Sequence, residues 1–81
     1  MNQPEEKFEY AITHIVNPHN FVRNFADMEH FKEWARGGII NHIKDTIRTF
    51  EHYELYEHCA ALQEVIDEKV DKMLSGLGFE D

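Results

Sequence analysis

The stretch HYELYEHCAALQEVID, residues 52–67, opens the longest amphipathic segment of the chain. Its apolar side chains recur every three or four residues, and the pattern continues to residue 73: Leu55, Cys59, Leu62, Ile66, Val70 and Met73. This spacing places them along one side of an α-helix. We therefore predict a helix at 54–75 whose apolar side packs against another helix, within one chain or between two.

An acidic strip lies opposite this apolar side. Its four members fall within roughly 60° of arc at about 100° per residue: Glu57, Glu64, Glu68 and Asp71. Lys69 and Lys72 come near the carboxyl end, where cations are favoured by the helix dipole. Ser75-Gly76 and Gly78 predict the end of the helix, and the last residues, FED, are expected to be frayed.

A second amphipathic segment precedes this one. Its apolar residues fit a period near 3.6: Ile39, Ile40, Ile43, Ile47 and Phe50. Although β-branched residues also suit strands, these residues do not alternate, and a helix at 39–51 is the better interpretation. Two long helices joined by a short connection predict an antiparallel hairpin.

The region before the hairpin is predicted to be helical with a break. Asn17-Pro18 suits a helix start, and Asp27 is a second candidate N-cap. We expect helix over 18–36, broken near residue 26, with Gly37-Gly38 as a low-strain exit.

The first residues allow two interpretations. Phe8, Tyr10 and Ile12 alternate as in a strand, whereas Phe8, Ala11 and Ile15 share a helical face. Pro4 and the acidic residues that follow favour a helix start, and Asn17-Pro18 ends the segment. A helix at 4–16 is therefore predicted.

Together these segments predict an all-α fold. The 81 residues are too few to divide into two cores, so 1–81 forms one domain, a small bundle of about four helices with a carboxyl-terminal antiparallel hairpin. Large aromatic residues are expected to form its core rather than a ligand pocket: Phe21, Phe25, Phe31, Trp34 and Phe50.

One family pattern can be traced through the predicted hairpin. Two large apolar residues four positions apart are followed by an aromatic-acidic pair, two small residues, a leucine and an isoleucine: Ile43, Ile47, Tyr56-Glu57, Cys59-Ala60, Leu62 and Ile66. This pattern, over residues 43–66, resembles the UVR motif, a helical hairpin named from nucleotide-excision-repair proteins. Gln63 and Cys59 depart from it, since the family often has Arg and Ala there. The resemblance implies a docking element that pairs with another protein or another copy of itself.

Charge and cysteine content limit the classes of function. The formal charge of −8 argues against direct binding to nucleic acid or anionic lipid, and it favours a protein partner with a basic surface. A single cysteine excludes an intramolecular disulfide, and no membrane-spanning or signal-like run is present. We therefore expect a cytoplasmic protein, similar in type to small acidic phage-encoded proteins that modulate host machinery.

Candidate reactive residues have simpler structural interpretations. Cys59 lies within the apolar side and next to His58, which points about 100° away, so we predict packing rather than nucleophilic catalysis. Glu54 with His58, and His42 with Asp45, have helical spacing but supply only two ligands each. The histidines are expected to be solvated. No cofactor or metal is predicted.

The sequence thus predicts a non-enzymatic interaction module that binds and regulates or inhibits a partner protein. The expected partner-binding residues combine the tyrosines near the connection with the acidic strip: Tyr53, Tyr56, Glu57, Glu64, Glu68 and Asp71. The alternatives are an acidic mimic of nucleic acid that blocks a DNA- or RNA-binding protein, and a small-molecule or metal-binding bundle. A homodimer or larger homo-oligomer is also expected, because so short a chain buries little surface alone.

Overall fold

The computed structural model describes residues 7–76, and this part of the chain is an all-α bundle without β-strands. Five α-helices follow one another: α1 Phe8–Ala11, α2 Pro18–Phe21, α3 Met28–Ala35, α4 Ile40–His52 and α5 Tyr56–Gly76. Short 3₁₀ turns extend α1 and α2, over Ile12–His14 and Val22–Asn24. The prediction of a small all-α bundle is confirmed.

The first half of the chain is less regular than the sequence pattern suggests. Within the predicted helix at 4–16, only Phe8–Ala11 is α-helical and a 3₁₀ turn follows; residues 4–6 lie outside the described part. The predicted segment 18–36 is two short helices separated by a 3₁₀ turn and bends at 25–27. Both expected caps form: Asn17 accepts a hydrogen bond from the Asn20 amide, and Asp27 accepts one from the His30 amide at 2.8 Å. Each cap starts a new helix and thereby divides the segment.

Helices α4 and α5 form the antiparallel hairpin, and they lie close to the predicted 39–51 and 54–75. Ile43, Phe50, Leu62 and Val65 are fully buried between them and the rest of the bundle. Cys59 lies beside Ile47, with its Sγ 3.5 Å from the Ile47 carbonyl oxygen. In the register that this contact indicates, Ile40, the first residue of α4, comes opposite the middle of α5.

The predicted apolar side of α5 is buried only in its first two-thirds. Cys59, Leu62 and Ile66 belong to the core, whereas Val70 and Met73 are 39% and 57% exposed. In this register, the last turns of α5 extend beyond the first turn of α4. Of the two predicted arrangements, packing within one chain accounts for Cys59, Leu62 and Ile66, whereas Val70 and Met73 are left exposed.

The core is dominated by aromatic rings around Trp34. All five predicted aromatic residues take part, since Phe31, Trp34 and Phe50 are buried and Phe21 and Phe25 pack against them. Phe8, predicted only to share a helical face with Ala11 and Ile15, adds a further ring to this core: it is fully buried, 4.6 Å from the ring of Trp34, centroid to centroid. The Trp34 indole N–H is buried, and no described residue accepts a hydrogen bond from it. Such an unmet donor costs about 1–3 kcal/mol.

Helix α3 packs on α5 in the parallel direction. Lys32 pairs with Glu64, and Arg36, one turn later, pairs with Glu68, one turn later in α5. No helix within residues 7–76 combines the length and apolar character needed to cross a membrane.

Candidate functional site

The turn between α4 and α5 forms the hairpin tip, which we define as residues 51–57. Two backbone hydrogen bonds end α4 here. The Leu55 amide donates to the Phe50 carbonyl at 3.0 Å, and the Glu54 amide donates to the Glu51 carbonyl at 2.9 Å. This pair of bonds is the Schellman arrangement. It holds the residues of the tip in a fixed geometry.

Glu54 takes the left-handed position that this arrangement requires. Its φ is +62°, and it is the only non-glycine residue with positive φ among residues 7–76. Glycine is the usual residue at this position, because a β-carbon there costs about 1–2 kcal/mol. The tip therefore carries a carboxylate where the backbone would favour glycine.

Two tyrosines project from the tip. Tyr53 is 39% exposed and Tyr56 is 62% exposed. The Tyr53 ring is held from two sides, by His19 of α2 at 5.9 Å and by His52 at 5.5 Å between ring centroids. Tyrosine offers a large apolar ring and a hydroxyl at low entropic cost, and it is enriched in the energetic centres of protein interfaces.

Three carboxylates lie in the same short segment as these tyrosines. Glu51, Glu54 and Glu57 are all exposed. Within the described part of the chain, none of them has a cationic side chain within ion-pair distance. The tip is therefore a negatively charged surface with an aromatic centre, and it unites Tyr53, Tyr56 and Glu57 of the predicted site.

The rest of the predicted site lies elsewhere, and two of its members are occupied. Glu64 accepts a hydrogen bond from Lys32 at 2.7 Å, and Glu68 accepts one from Arg36 at 3.0 Å. The hydrogen bond from Arg36 lowers the pKa of Glu68, and the bond to Glu64 raises the pKa of Lys32. These two carboxylates join α5 to α3. Asp71 is exposed, about 21 Å along α5 from Glu57.

Sequence periodicity could not reveal this division of the acidic strip. Glu64 and Glu68 are one turn apart, and so are Lys32 and Arg36. The matching spacing is visible in the sequence, but the parallel packing that joins the two pairs follows only from the fold.

Cys59 has the geometry of a packing residue. Its thiol is buried and donates a weak hydrogen bond to the Ile47 carbonyl. Burial, together with the negative charge of Glu51, raises the pKa of the Cys59 thiol. A thiol nucleophile needs the opposite conditions, namely access and a lowered pKa.

Three histidines depart from the expected solvated state. His30 is half-buried, and its Nδ1 accepts a hydrogen bond from the Ala26 amide at 3.0 Å. His58 is half-buried, with its ring edge-to-face against Phe31 at 4.9 Å between centroids, and burial lowers its pKa. His42 contacts the Glu9 carboxylate, which also accepts a hydrogen bond from the Ile39 amide at 2.8 Å. Glu9 thereby links α1 to the start of α4. Among residues 7–76, no three His, Cys, Asp or Glu side chains are grouped as metal ligands would be.

Comparison of the chain with protein-family models, with curated proteins and with solved structures finds no match in any of the three. The resemblance to the UVR motif therefore stays a prediction. The candidate site rests on the geometry of the hairpin tip.

Proposed function

We propose that this protein is a small non-enzymatic interaction module that binds a partner protein with a basic surface and regulates or inhibits it. The hairpin tip is its docking surface. Tyr53 and Tyr56 supply the apolar centre of the contact. Glu57 and Glu54 supply charge at its edge.

The backbone of Glu54 is the observation that carries this proposal. Strained backbone conformations cluster at functional sites, where the side chain that causes the strain is needed. Glycine at this position would relieve the strain, and the substitution would remove only the carboxylate side chain. The unfavourable residue lies between two exposed tyrosines, and this is the arrangement expected of a selected contact surface.

Charge supports a basic partner. The chain carries 16 acidic and 8 basic residues, so its field attracts positively charged surfaces and speeds their encounter. The tip adds unpaired carboxylates to this general field. Glu64 and Glu68 have a different role in the proposal, because they are paired with α3 and hold the docking hairpin in place.

Mimicry of nucleic acid is less well supported. A mimic needs a row of free carboxylates that replaces a row of phosphates. In the acidic strip, the two central carboxylates are engaged with Lys32 and Arg36, which leaves Glu57 and Asp71 far apart. The geometry therefore favours docking on a basic protein surface.

Affinity capture from an extract of the source cells tests the proposal. The triple variant Tyr53→Ala/Tyr56→Ala/Glu57→Gln should lose the partner that the native chain retains. The matched control is Tyr10→Ala/Glu33→Gln, which changes an exposed tyrosine and an unpaired exposed glutamate away from the tip. Circular dichroism establishes that both variants are folded.

The native complex should also dissociate as salt rises, because exposed charges are screened within about 8 Å at physiological ionic strength. Retention of the same partner by the triple variant and the native chain would contradict the proposal. Displacement of the partner by duplex DNA would favour mimicry instead.

A further inference from the structure

A groove of about 590 Å³ lies at the end of the hairpin opposite the tip. It is bounded by the start of α4 and the last turns of α5, and its lining residues are Gly38, Ile39, Ile40, Asn41, Lys69, Lys72 and Met73. We call it the basal groove. It exists because α5 extends beyond the first turn of α4.

Apolar side chains are exposed at this groove. Ile39 and Met73 line the groove and are 54% and 57% exposed, and Val70 and Leu74 are also exposed in the last turns of α5. A cluster of large exposed apolar residues on a small domain typically marks an interaction surface.

The groove is also the cationic end of an acidic molecule. Among the described residues, no carboxylate lies within ion-pair distance of Lys69 or Lys72; the nearby Glu68 is hydrogen-bonded to Arg36, and the charge of Lys72 adds to the lowering of its pKa. The amino end of α4 borders the same space, but its Ile39 amide already donates to the Glu9 carboxylate at 2.8 Å, so the positive charge open to an occupant is that of Lys69 and Lys72. The basal groove therefore suits an occupant that combines an apolar group with carboxylates.

The hairpin tip of the same chain has this chemistry. It presents two exposed tyrosine rings and the unpaired carboxylates of Glu51, Glu54 and Glu57. Tyr56 and Met73 are 17 residues apart on one straight helix, a separation of about 26 Å. A tip cannot reach the groove of its own molecule at this distance, but it can reach that of a neighbour.

We propose that the basal groove binds the hairpin tip of a second copy of this chain, in a head-to-tail contact. The tyrosines of one copy pack against Ile39 and Met73 of the next, and the tip carboxylates pair with Lys69 and Lys72. Such a contact joins two different surfaces, so it builds a chain or a ring rather than a simple two-fold dimer.

Charge selects this arrangement over symmetric ones. A tip-to-tip contact would bring together two sets of carboxylates, and a groove-to-groove contact would bring together two pairs of lysines. Like charges in contact oppose association, whereas opposite charges fix the register. The contact goes beyond the proposed function and uses the same tip, so a second copy and a partner protein compete for it.

Sedimentation of the purified chain tests the contact without any partner protein. At about 0.15 M salt, where the net charge is screened beyond about 8 Å, the average mass should rise with protein concentration. We define two charge-reversed chains: the groove variant, Lys69→Glu/Lys72→Glu, and the tip variant, Glu54→Lys/Glu57→Lys. Each should weaken this association by roughly tenfold or more. The control Arg23→Glu/Lys44→Glu makes the same change in net charge as the groove variant at residues that belong to neither surface, and it should associate like the native chain.

Mixing distinguishes head-to-tail contacts from other modes. The groove variant retains a native tip and the tip variant retains a native groove, so a mixture of the two should form 1:1 pairs that grow no further. A chain carrying all four substitutions should associate again, because its exchanged charges are complementary.

A native chain that stays monomeric at millimolar concentration, or one whose association is unchanged in both variants, would overturn the proposal. Failure of the four-substitution chain to recover association would also overturn it. Loss of partner capture leaves these readings unaffected, so the proposed function and the self-contact can fail separately.

Discussion

Gly38 lies directly against the ring of Phe8: a β-carbon at position 38 would overlap the Phe8 Cδ2 atom and lie 2.6 Å from its Cε2. The Phe8 ring is fully buried and packs on Trp34, so it has no room to move away. Gly38 does not have positive φ. Position 38 therefore requires glycine because there is no space for a side chain. Gly37-Gly38 was expected to give a low-strain exit from the helix, but the role of Gly38 is to allow α1 to pack closely on the start of α4.

Gly38→Ala should lower the free energy of unfolding by about 1–3 kcal/mol, because the added methyl group displaces a buried aromatic ring. Gly37→Ala is the matched control. Its β-carbon would meet the Trp34 carbonyl oxygen at 3.4 Å, an ordinary contact, and we expect a change within about 0.5 kcal/mol. Urea denaturation of the two variants measures the difference. Equal stabilities would show that the Phe8 ring can move.

Glu54→Gly should stabilise the fold by about 0.5–1 kcal/mol. Glycine removes the strain of the left-handed backbone, and the greater conformational entropy of the unfolded glycine chain offsets part of this gain. Glu54→Ala separates backbone from charge, because alanine keeps the strain and loses the carboxylate. The glycine variant should therefore unfold at a higher temperature than the alanine variant. An alanine variant as stable as the glycine variant would remove the argument from strain.

The hairpin could be predicted because its information is local. The period of apolar residues in α4 and α5 depends only on the helix repeat, so both helices were placed within two residues of their observed ends. The exposure of Val70 and Met73 could not be predicted, because it depends on where the neighbouring helix begins. The same limit applies to the short helices before α3, where capping residues outweigh an apparent helical period.

The candidate site shows the same division. Tyr53 and Tyr56 could be placed near a turn from sequence alone, and the structure exposes both. Glu64 and Glu68 have the same spacing as free surface carboxylates, and their pairing with α3 requires tertiary packing. The left-handed backbone of Glu54 had no signal in the sequence, since glycine is what normally marks such a position.

Arg36→Glu and Glu68→Arg should each reduce stability slightly, because each places like charges together between α3 and α5. The double exchange should restore only the part of the loss that belongs to this pair, because Arg36 also pairs with Glu29 and that contact stays repulsive. Exposed pairs are weak and screened, so the difference should disappear in about 1 M salt, where the Debye length is about 3 Å. Glu33→Arg is the control, since no described cation pairs with Glu33. A loss that persists unchanged in high salt would indicate lost packing rather than lost charge pairing.

The Cys59 thiol should react with a disulfide reagent far more slowly in the native protein than in the denatured chain. Burial limits access, and the raised pKa reduces the reactive thiolate at pH 8. The rate is read from the absorbance of the released thiolate, with and without denaturant. A native rate equal to the denatured rate would contradict the packing role and reopen a reactive one.

Stability should fall as pH is lowered from 7.5 to 5.0, because of His58. Burial against Phe31 lowers the pKa of His58 below its ordinary value of 6.5, so the unfolded chain binds a proton more readily than the folded protein. The contribution to stability is complete above pH 6.5 and is lost as pH falls through the folded pKa. Urea denaturation at a series of pH values measures the slope.

His58→Gln should flatten this slope, because glutamine fills part of the same space and does not take up a proton. The control His52→Gln alters an exposed histidine at the end of α4 and should leave the slope in place. The window stays above pH 5, where the ion pair of Glu68 remains intact because Arg36 lowers the pKa of that carboxyl. If stability were equally steep with pH in the His58 variant, the proton uptake would belong to another group and the half-buried ring would have no part in it.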